Sequence, residues 1–229
     1  MRDHSSREAA TPVPEPVAYV RDQFLDFRPA WFLCGGWAAD AWLGRETRDH
    51  CDVDIAVFHP DQHAIYEHFP GWALVGHDSN VADDTTEQWN GRRLDLPAHI
   101  HVPELGSPLS TSAALRHTAF EFEFLLNERS DHDWILNREQ NIAVPLERYV
   151  RLSSWGLPTA APEVVLVFKG GGHLAAAEAA AANDVLRPHD EQDLFALVPT
   201  LTATQRSWLG ESLGKVRPEH AWLPHLAGA

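Results

Sequence analysis

A pair of glycines and two pairs of acidic residues are the groups in this chain whose types and spacing can do chemistry. Asp52 and Asp54 open the run Asp52-Val-Asp-Ile-Ala-Val-Phe58, in which Val53, Ile55 and Val57 alternate with the two aspartates and Ala56. Such alternation is that of a strand, and it puts both carboxylates on one face. Two like charges held so close repel, and a hard divalent cation such as Mg2+ is the usual compensation. Upstream, Gly35-Gly36 stand between the apolar run Trp31-Phe32-Leu33-Cys34 and Trp37 to Leu43. A helix entered through two glycines offers unpaired N–H groups to a phosphate and lets the backbone approach closely. Together the two features point to a metal-nucleotide site. Phe120-Glu-Phe-Glu-Phe-Leu-Leu126 repeats the acidic alternation, facing Glu121 and Glu123 the same way.

The elements that must position these groups can be read from periodicity. Residues 1–16, with Pro12, Pro14 and Pro16 and no apolar pattern, read as an arm outside the fold. Val17, Val20, Phe24 and Phe27 recur at helical spacing until Pro29. A strand, glycine turn and helix follow over Trp31 to Leu43, then the Asp52–Phe58 strand, a helix over Asp61–Phe69 and a strand over Gly71–Val75. The stretch Asp78–Asp95 is acidic and aperiodic and reads as a loop. His99–Val102 and Phe120–Leu126 are further strands, the second pairing with Trp134–Leu136 in a hairpin. After Trp155-Gly-Leu-Pro158 the chain turns helical: Glu163–Lys169, Ala175–Ala182, Glu191–Leu197, and Ala203–Leu213 behind a Thr202 cap. Strands in front and helices behind make an α+β protein. The division expected is an N-terminal arm (1–16), a catalytic domain (17–157) and a helical C-terminal region (158–229).

Composition narrows the partners. The 229 residues are 44% apolar and 22% charged, within the globular range, and no window reaches a membrane-spanning length. Without an apolar leader in the first residues, a cytoplasmic location is expected. Thirty-three acidic against 18 basic side chains give a net charge of −15. That field repels nucleic acid and anionic membranes, so neither is an expected partner, and it attracts cations. Cys34 and Cys51, the two cysteines, are too few for a disulfide framework.

Phe32-Leu-Cys-Gly-Gly-Trp-Ala-Ala-Asp40, Leu43-Gly-Arg45, Thr47-Arg48, His50 and Asp52-Val-Asp-Ile-Ala-Val57 resemble the signature of the polymerase-β-like nucleotidyltransferase superfamily. More narrowly they resemble its aminoglycoside 2''-adenylyltransferase and lincosamide nucleotidyltransferase branch. The likeness continues through Trp134–Arg138, Ala161–Leu166 with Lys169, Arg187–Asp193 and Trp208-Leu209. It implies a mixed sheet with flanking helices, a helical C-terminal region, and Mg2+-dependent transfer of a nucleoside monophosphate, AMP being the expected one, from ATP or another NTP to a hydroxyl. The acceptor would be a small molecule, with the acidic surface favouring a cationic one.

By position, Asp52 and Asp54 would be metal ligands and catalytic, and Gly35 and Gly36 would contact phosphates, with Asp40 on the same motif helix. The superfamily supplies a third carboxylate from a neighbouring strand; Glu123 is the first choice, with Glu121 and Asp95 as alternatives. Arg45, Arg48 and His50 can offset triphosphate charge, and Lys169 would face the site; solvated surface charge is the competing reading of each. Asp190 and Asp193 either bind substrate amines or cap a helix near Pro188. Relatives carry lysines after the position of Lys169, whereas this chain has Gly170-Gly-Gly172 and an alanine-rich run, so acceptor identity does not carry over. Two other functions fit the same motif: a nucleotide-binding regulator without transfer activity, and a transferase that modifies a protein. The nine tryptophans are read mainly as packing.

Overall fold

Strands of alternating or wholly apolar sequence assemble one large sheet in the computed structural model, which describes residues 12–78, 87–102, 121–137, 141–172 and 187–226. The strands are β1 (Trp31–Leu33), β2 (Val53–Phe58), β3 (Val75–His77), β4 (Ala98–Val102), β5 (Phe122–Arg129), β6 (Asp133–Asn137), β7 (Ile142–Pro145), β8 (Val150–Leu152) and β9 (Pro158–Ala160). Their order is β3-β4-β5-β2-β1-β9-β8, with β6 and β7 branching from β5. β2 runs parallel to β5 and β1 parallel to β9, while β1–β2 and β4–β5 are antiparallel. The sheet is therefore mixed, as the sequence predicts. β9 begins at residue 158, where the helical region was expected to start, and is hydrogen-bonded into this sheet.

One face of the sheet is the core. Val53, Ile55 and Val57 of β2, Phe122, Phe124 and Leu126 of β5, and Ile100 and Val102 of β4 are all buried. Two helices cover them: α1 (Glu15–Gln23), whose following turn carries Phe24, and α3 (Gln62–His68), followed by Phe69. Phe24 and Phe69 pack on the Phe124 ring at centroid distances of 5.8 and 5.6 Å. The opposite face meets α2 (Gly35–Leu43), which packs on β2, on α5 (Pro162–Val167) and on α6 (Pro188–Leu197). Short α4 (Leu146–Tyr149), long α7 (Ala203–Val216) and α8 (Leu223–Leu226) complete the described helices.

The expected hairpin is present, with Glu128 opposite Ile135 and Arg129 opposite Trp134. Its buried Trp134 ring stacks on Tyr149 at 4.8 Å, and both donate to the side-chain oxygen of Asn127. One strand moves: Gly71–Val75 was expected to be extended, but only Val75 belongs to β3. Gly71, at φ +79°, turns the chain, and Trp72 and Leu74 donate N–H groups to Phe69 and Trp72 carbonyls within that turn. β7, β8 and β9 were not expected; at three or four residues each, they are too short to show a period. The expected Ala175–Ala182 helix and residues 1–11 of the arm lie outside the described residues, whereas Glu15 and Pro16, placed in the arm, begin α1. No described helix is long and apolar enough to cross a membrane.

Gly170-Gly171-Gly172 has a structural explanation. The chain leaves α5 through a wide turn over Phe168–Gly172, with Gly171 at φ +86°. A Cβ on Gly170 would meet Leu213 at 2.5 Å, and Gly170 O accepts from His220 Nε2 at 2.8 Å. His220 is buried, and its Nδ1 accepts the N–H of Trp222, so the neutral ring pins the C-terminal segment to this turn. Burial and the neighbouring Arg217 charge both lower its pKa, although the Gly170 bond opposes them.

The start of α7 is a capping box. Thr202 Oγ1 accepts from the Gln205 N–H at 3.3 Å, while Gln205 Oε1 accepts from the Thr202 N–H at 2.9 Å. Gln205 Nε2 then donates to buried Glu163 on α5 at 2.7 Å. Thr202→Ala should therefore lower folding stability by about 1 kcal/mol in denaturant titration, and an unchanged midpoint would show that the cap contributes nothing.

Candidate active site

The register of β2 against β5 builds the site. Asp54 lies directly opposite Glu123 on these parallel strands, so the two side chains share a face, and Asp52 and Glu121 lie two residues earlier on the same face. The Glu121 carbonyl accepts the Val53 N–H at 3.0 Å, fixing the pairing just before the strands begin. Four carboxylates thus line one edge of the face opposite the core. Asp95 does not join them; it is exposed in the segment before β4, its N–H donating to Asp78 at 3.1 Å. Glu123 is the alternative that stands level with Asp54.

These charges act on one another. Burial, then the charges of Asp52 and Glu123, raise the Asp54 pKa from 3.8 to about 7, against the opposing fields of Lys169 and Arg187. Burial also raises that of Glu123, with Asp52 and Glu121 adding to the shift and His101 and His77 opposing it. The thiol of Cys34 is pushed well up by burial and by the same acidic charges. A cation placed among Asp52, Asp54 and Glu123 would relieve this repulsion, so the donor set suits a hard divalent metal. Among the described residues, no three such side chains converge on one point as placed. The fit is therefore one of charge, donor type and strand register.

The glycine pair meets the carboxylates from above. Cys34 precedes α2 and donates its N–H to the Asp54 carbonyl at 2.9 Å. Gly35 follows at φ +62°, and a Cβ built on it would overlap the Asp54 carboxylate. Both the left-handed backbone and the contact exclude any larger residue. A Cβ on Gly36 would meet the Arg48 guanidinium and, at 2.5 Å, His50 Nδ1. The first amides of α2 have no partner within the helix and open beside Asp54, as expected for a phosphate-binding turn.

Asp40 has a different occupation. Its carboxylate is fully buried and accepts from Thr47 Oγ1, while His50 Nε2 lies 2.6 Å from its other oxygen. Its carbonyl accepts the Arg45 N–H at 3.2 Å. Asp40 thus ties down the loop from Gly44 to Cys51 that leads into Asp52. His50 is sandwiched on Trp37 at 4.2 Å. Arg45 is exposed on that loop. Arg48 and Lys169 are both turned inward: Arg48 Nε and Nη2 donate to Asp193 at 3.1 and 3.0 Å, and Lys169 Nζ lies 2.6 Å from Asp193 and 3.0 Å from Asp190. Asp190 and Asp193, read as substrate contacts or caps, are buried acceptors for these cations.

Sequence reasoning missed the histidines. His101 stands opposite Glu123 on β4 and pairs with Glu121, and His99 Nε2 lies 3.8 Å from Glu123. His77 on β3 stacks on His99 at 4.6 Å. Their alternation marks a strand, but only its pairing with β5 reveals that they face the carboxylates. Arg187 was likewise missed; it bonds Asp190 at 2.9 Å.

Two substitutions test this geometry. Between about pH 4 and 7 the folded chain holds a proton on Asp54 that the unfolded chain has released, so this group's contribution to stability falls as pH rises through that window. In metal-free buffer Asp54→Asn should raise the unfolding midpoint at about pH 8, by a free energy on the order of a few kcal/mol, and the gain should vanish by about pH 4. An equal gain at both pH values would refute the account. Gly35→Ala should displace the Asp54 carboxylate and abolish Mg2+-induced thermal stabilisation, and retained stabilisation would show that the contact is not needed.

Residues 17–88 match the model of the aminoglycoside-2''-adenylyltransferase family. No curated protein sequence matches the chain significantly. Among solved structures, the solution structure of the antibiotic-resistance factor ANT(2'')-Ia is 14% identical, spans 92% of this chain and 94% of its own, and superposes with a TM-score of 0.54. The crystal structure of ANT(2'')-Ia in complex with adenylyl-2''-tobramycin is 12% identical over 86% of this chain and 94% of that one, with a TM-score of 0.52. The lincosamide antibiotic adenylyltransferase LnuA, bound to lincomycin, is 15% identical over 82% and 97%, with a TM-score of 0.49. The two ANT(2'')-Ia superpositions establish shared architecture alone, and the family match adds sequence likeness across α1 to β3, the region that carries both glycines and both aspartates. The chain thus shares the fold of ANT(2'')-Ia and is similar, over residues 17–88, to the aminoglycoside-2''-adenylyltransferase family.

Proposed function

We propose that the protein transfers a nucleoside monophosphate, AMP in the first instance, from a Mg2+-bound NTP to a hydroxyl of a small cationic molecule of the aminoglycoside or lincosamide kind. The observation that carries this reading is the pairing of Asp54 with Glu123 under Gly35, which joins an acidic cluster to a phosphate-binding helix start. The family match over residues 17–88 supports the donor chemistry, and the antibiotic substrates named for the similar structures support the acceptor class. The net charge of −15 favours a cationic acceptor by steering.

Asp52, Asp54 and Glu123 would hold Mg2+, which when bound supplies charge neutralisation on the phosphates and lowers the cost of ionising the attacking hydroxyl. The first amides of α2 orient the phosphate chain. Glu123, level with Asp54 on the same face of the sheet, would receive the acceptor's hydroxyl proton. The acceptor oxygen then bonds to the α-phosphorus as the bond from that phosphorus to the bridging oxygen breaks, and pyrophosphate leaves. Lys169 and Arg187 act on the Asp54 charge and oppose that of its acidic neighbours.

Pyrophosphate release from ATP and GTP, measured with aminoglycosides, lincosamides and a protein extract as acceptors, tests the reading. Small-molecule acceptors should support turnover, and Glu123→Gln should lower it by about 10²-fold or more while Glu121→Gln changes it far less. Labelled nucleotide appearing on protein alone would replace the acceptor class, and nucleotide binding without transfer would favour a regulator.

A further inference from the structure

The buried charges behind the glycine turn form a chain that the transfer chemistry does not itself require. Asp193 on α6 is 1% exposed and holds two cations from separate segments: Arg48, on the loop between α2 and β2, through two hydrogen bonds, and Lys169, at the end of α5, through an ion pair at 2.6 Å. Lys169 also bonds Asp190 at 3.0 Å, and Arg187 closes on Asp190 at 2.9 Å. Three cations face two carboxylates, which leaves one positive charge in excess. Arg187 is mostly exposed, but Lys169, Asp190 and Asp193 are nearly out of water and Arg48 is largely so; burying such charges is a poor way to gain stability, since apolar residues of similar volume would serve as well. The location offers a better reason. The Arg48 guanidinium lies where a Cβ on Gly36 would sit, at the start of α2, and Lys169 and Arg187 are close enough to Asp54 to act on its charge.

We propose that Asp193 is a positioning residue for nucleotide binding: its single carboxylate fixes Arg48 and Lys169 together beside the glycine turn, so that the docking of α6 sets the cationic wall of the phosphate site. This rests on the nucleotidyl-transfer reading and deepens it. Asp193 would not itself touch phosphate, since both its oxygens are engaged by Arg48 and Lys169. A carboxylate gripped by two of its partners' donors orients an arginine more narrowly than the loop backbone can, because Arg48 has only the Asp49 carbonyl as a further acceptor on that loop. The arrangement also makes nucleotide affinity depend on α6 as well as on the sheet and α2, while the acceptor side stays untouched.

Calorimetric titration of Mg-ATP and Mg-GTP, steady-state kinetics, and amide hydrogen exchange of the nucleotide-free protein test the assignment together. Asp193→Asn should weaken nucleotide binding and raise the nucleotide KM by about 10- to 100-fold, with kcat changed by less than about threefold. Amides of residues 45–50 should exchange faster in the variant while those of β2 and β5 do not. Arg48→Gln should weaken binding similarly, and the double variant Arg48→Gln/Asp193→Asn should be little worse than either alone. Should Asp193→Asn fail to fold, Asp193→Glu keeps the charge and shifts the grip, and it should raise KM several-fold. An unchanged KM and affinity in either folded variant, additive effects in the double variant, or a loss confined to kcat overturns the proposal while leaving the transfer reading in place. Wild-type protein that binds neither nucleotide overturns both.

Discussion

Repulsion among Asp52, Asp54 and Glu123 is the constraint that organises this molecule. Parallel pairing of β2 with β5 places Asp54 and Glu123 level on one face, and the burial that makes the sheet cohesive also deprives their charges of water. A sheet built only for stability would not set carboxylates there. Several groups nearby answer that field: α2 presents the positive end of its dipole, Lys169 and Arg187 act on Asp54 from the helical side, and His99 and His101 approach Glu123 and Glu121 from β4. The apolar half of the same strands, Val53, Ile55 and Val57 against Phe122 and Phe124, supplies the burial that holds the acidic half in place. Stability and the proposed chemistry are thus drawn from opposite faces of the same strands.

Two kinds of polar interaction separate scaffold from site. Asp40 is satisfied locally, by Thr47 and His50 a few residues on, and its role is to shape one loop. Asp193 is satisfied by residues far apart in sequence, so its bonds exist only when α2, α5 and α6 have packed. Glu163 is similar: it joins Arg148 after β7 to Gln205 on α7 and ties the helical layer together away from the carboxylates. Local pairs make the turns, and distant pairs bring the layers into register.

Much of this was legible in the residues, and the limits follow from what sequence can carry. Alternation fixed the strand character of Asp52–Phe58 and Phe120–Leu126 and the shared face of each acidic pair, because a period of two survives any packing. It could not choose between Glu121, Glu123 and Asp95, since that choice depends on register between strands distant in the chain. The inward turn of Arg48 and Lys169 was invisible for the same reason: their partner, Asp193, sits on a third element. His99 and His101 read as strand residues and nothing more until β4 was paired with β5. Three-residue strands such as β8 and β9 left no pattern at all, and the packing of Gly170 against Leu213 and Trp222 could not be read from the glycine run.

The link from Gly170 through His220 to Trp222 also orders events in time. As the chain emerges during synthesis, N-terminal end first, the strands bearing Asp52, Asp54 and Glu123 are complete by residue 160, but the partners of Lys169 and Arg48 come only with α6, and the turn after Lys169 is sealed only by residues 220–222. In a chain made in that order, the acidic edge of Asp52, Asp54 and Glu123 is therefore complete before Asp190 and Asp193 arrive to hold the cations beside it.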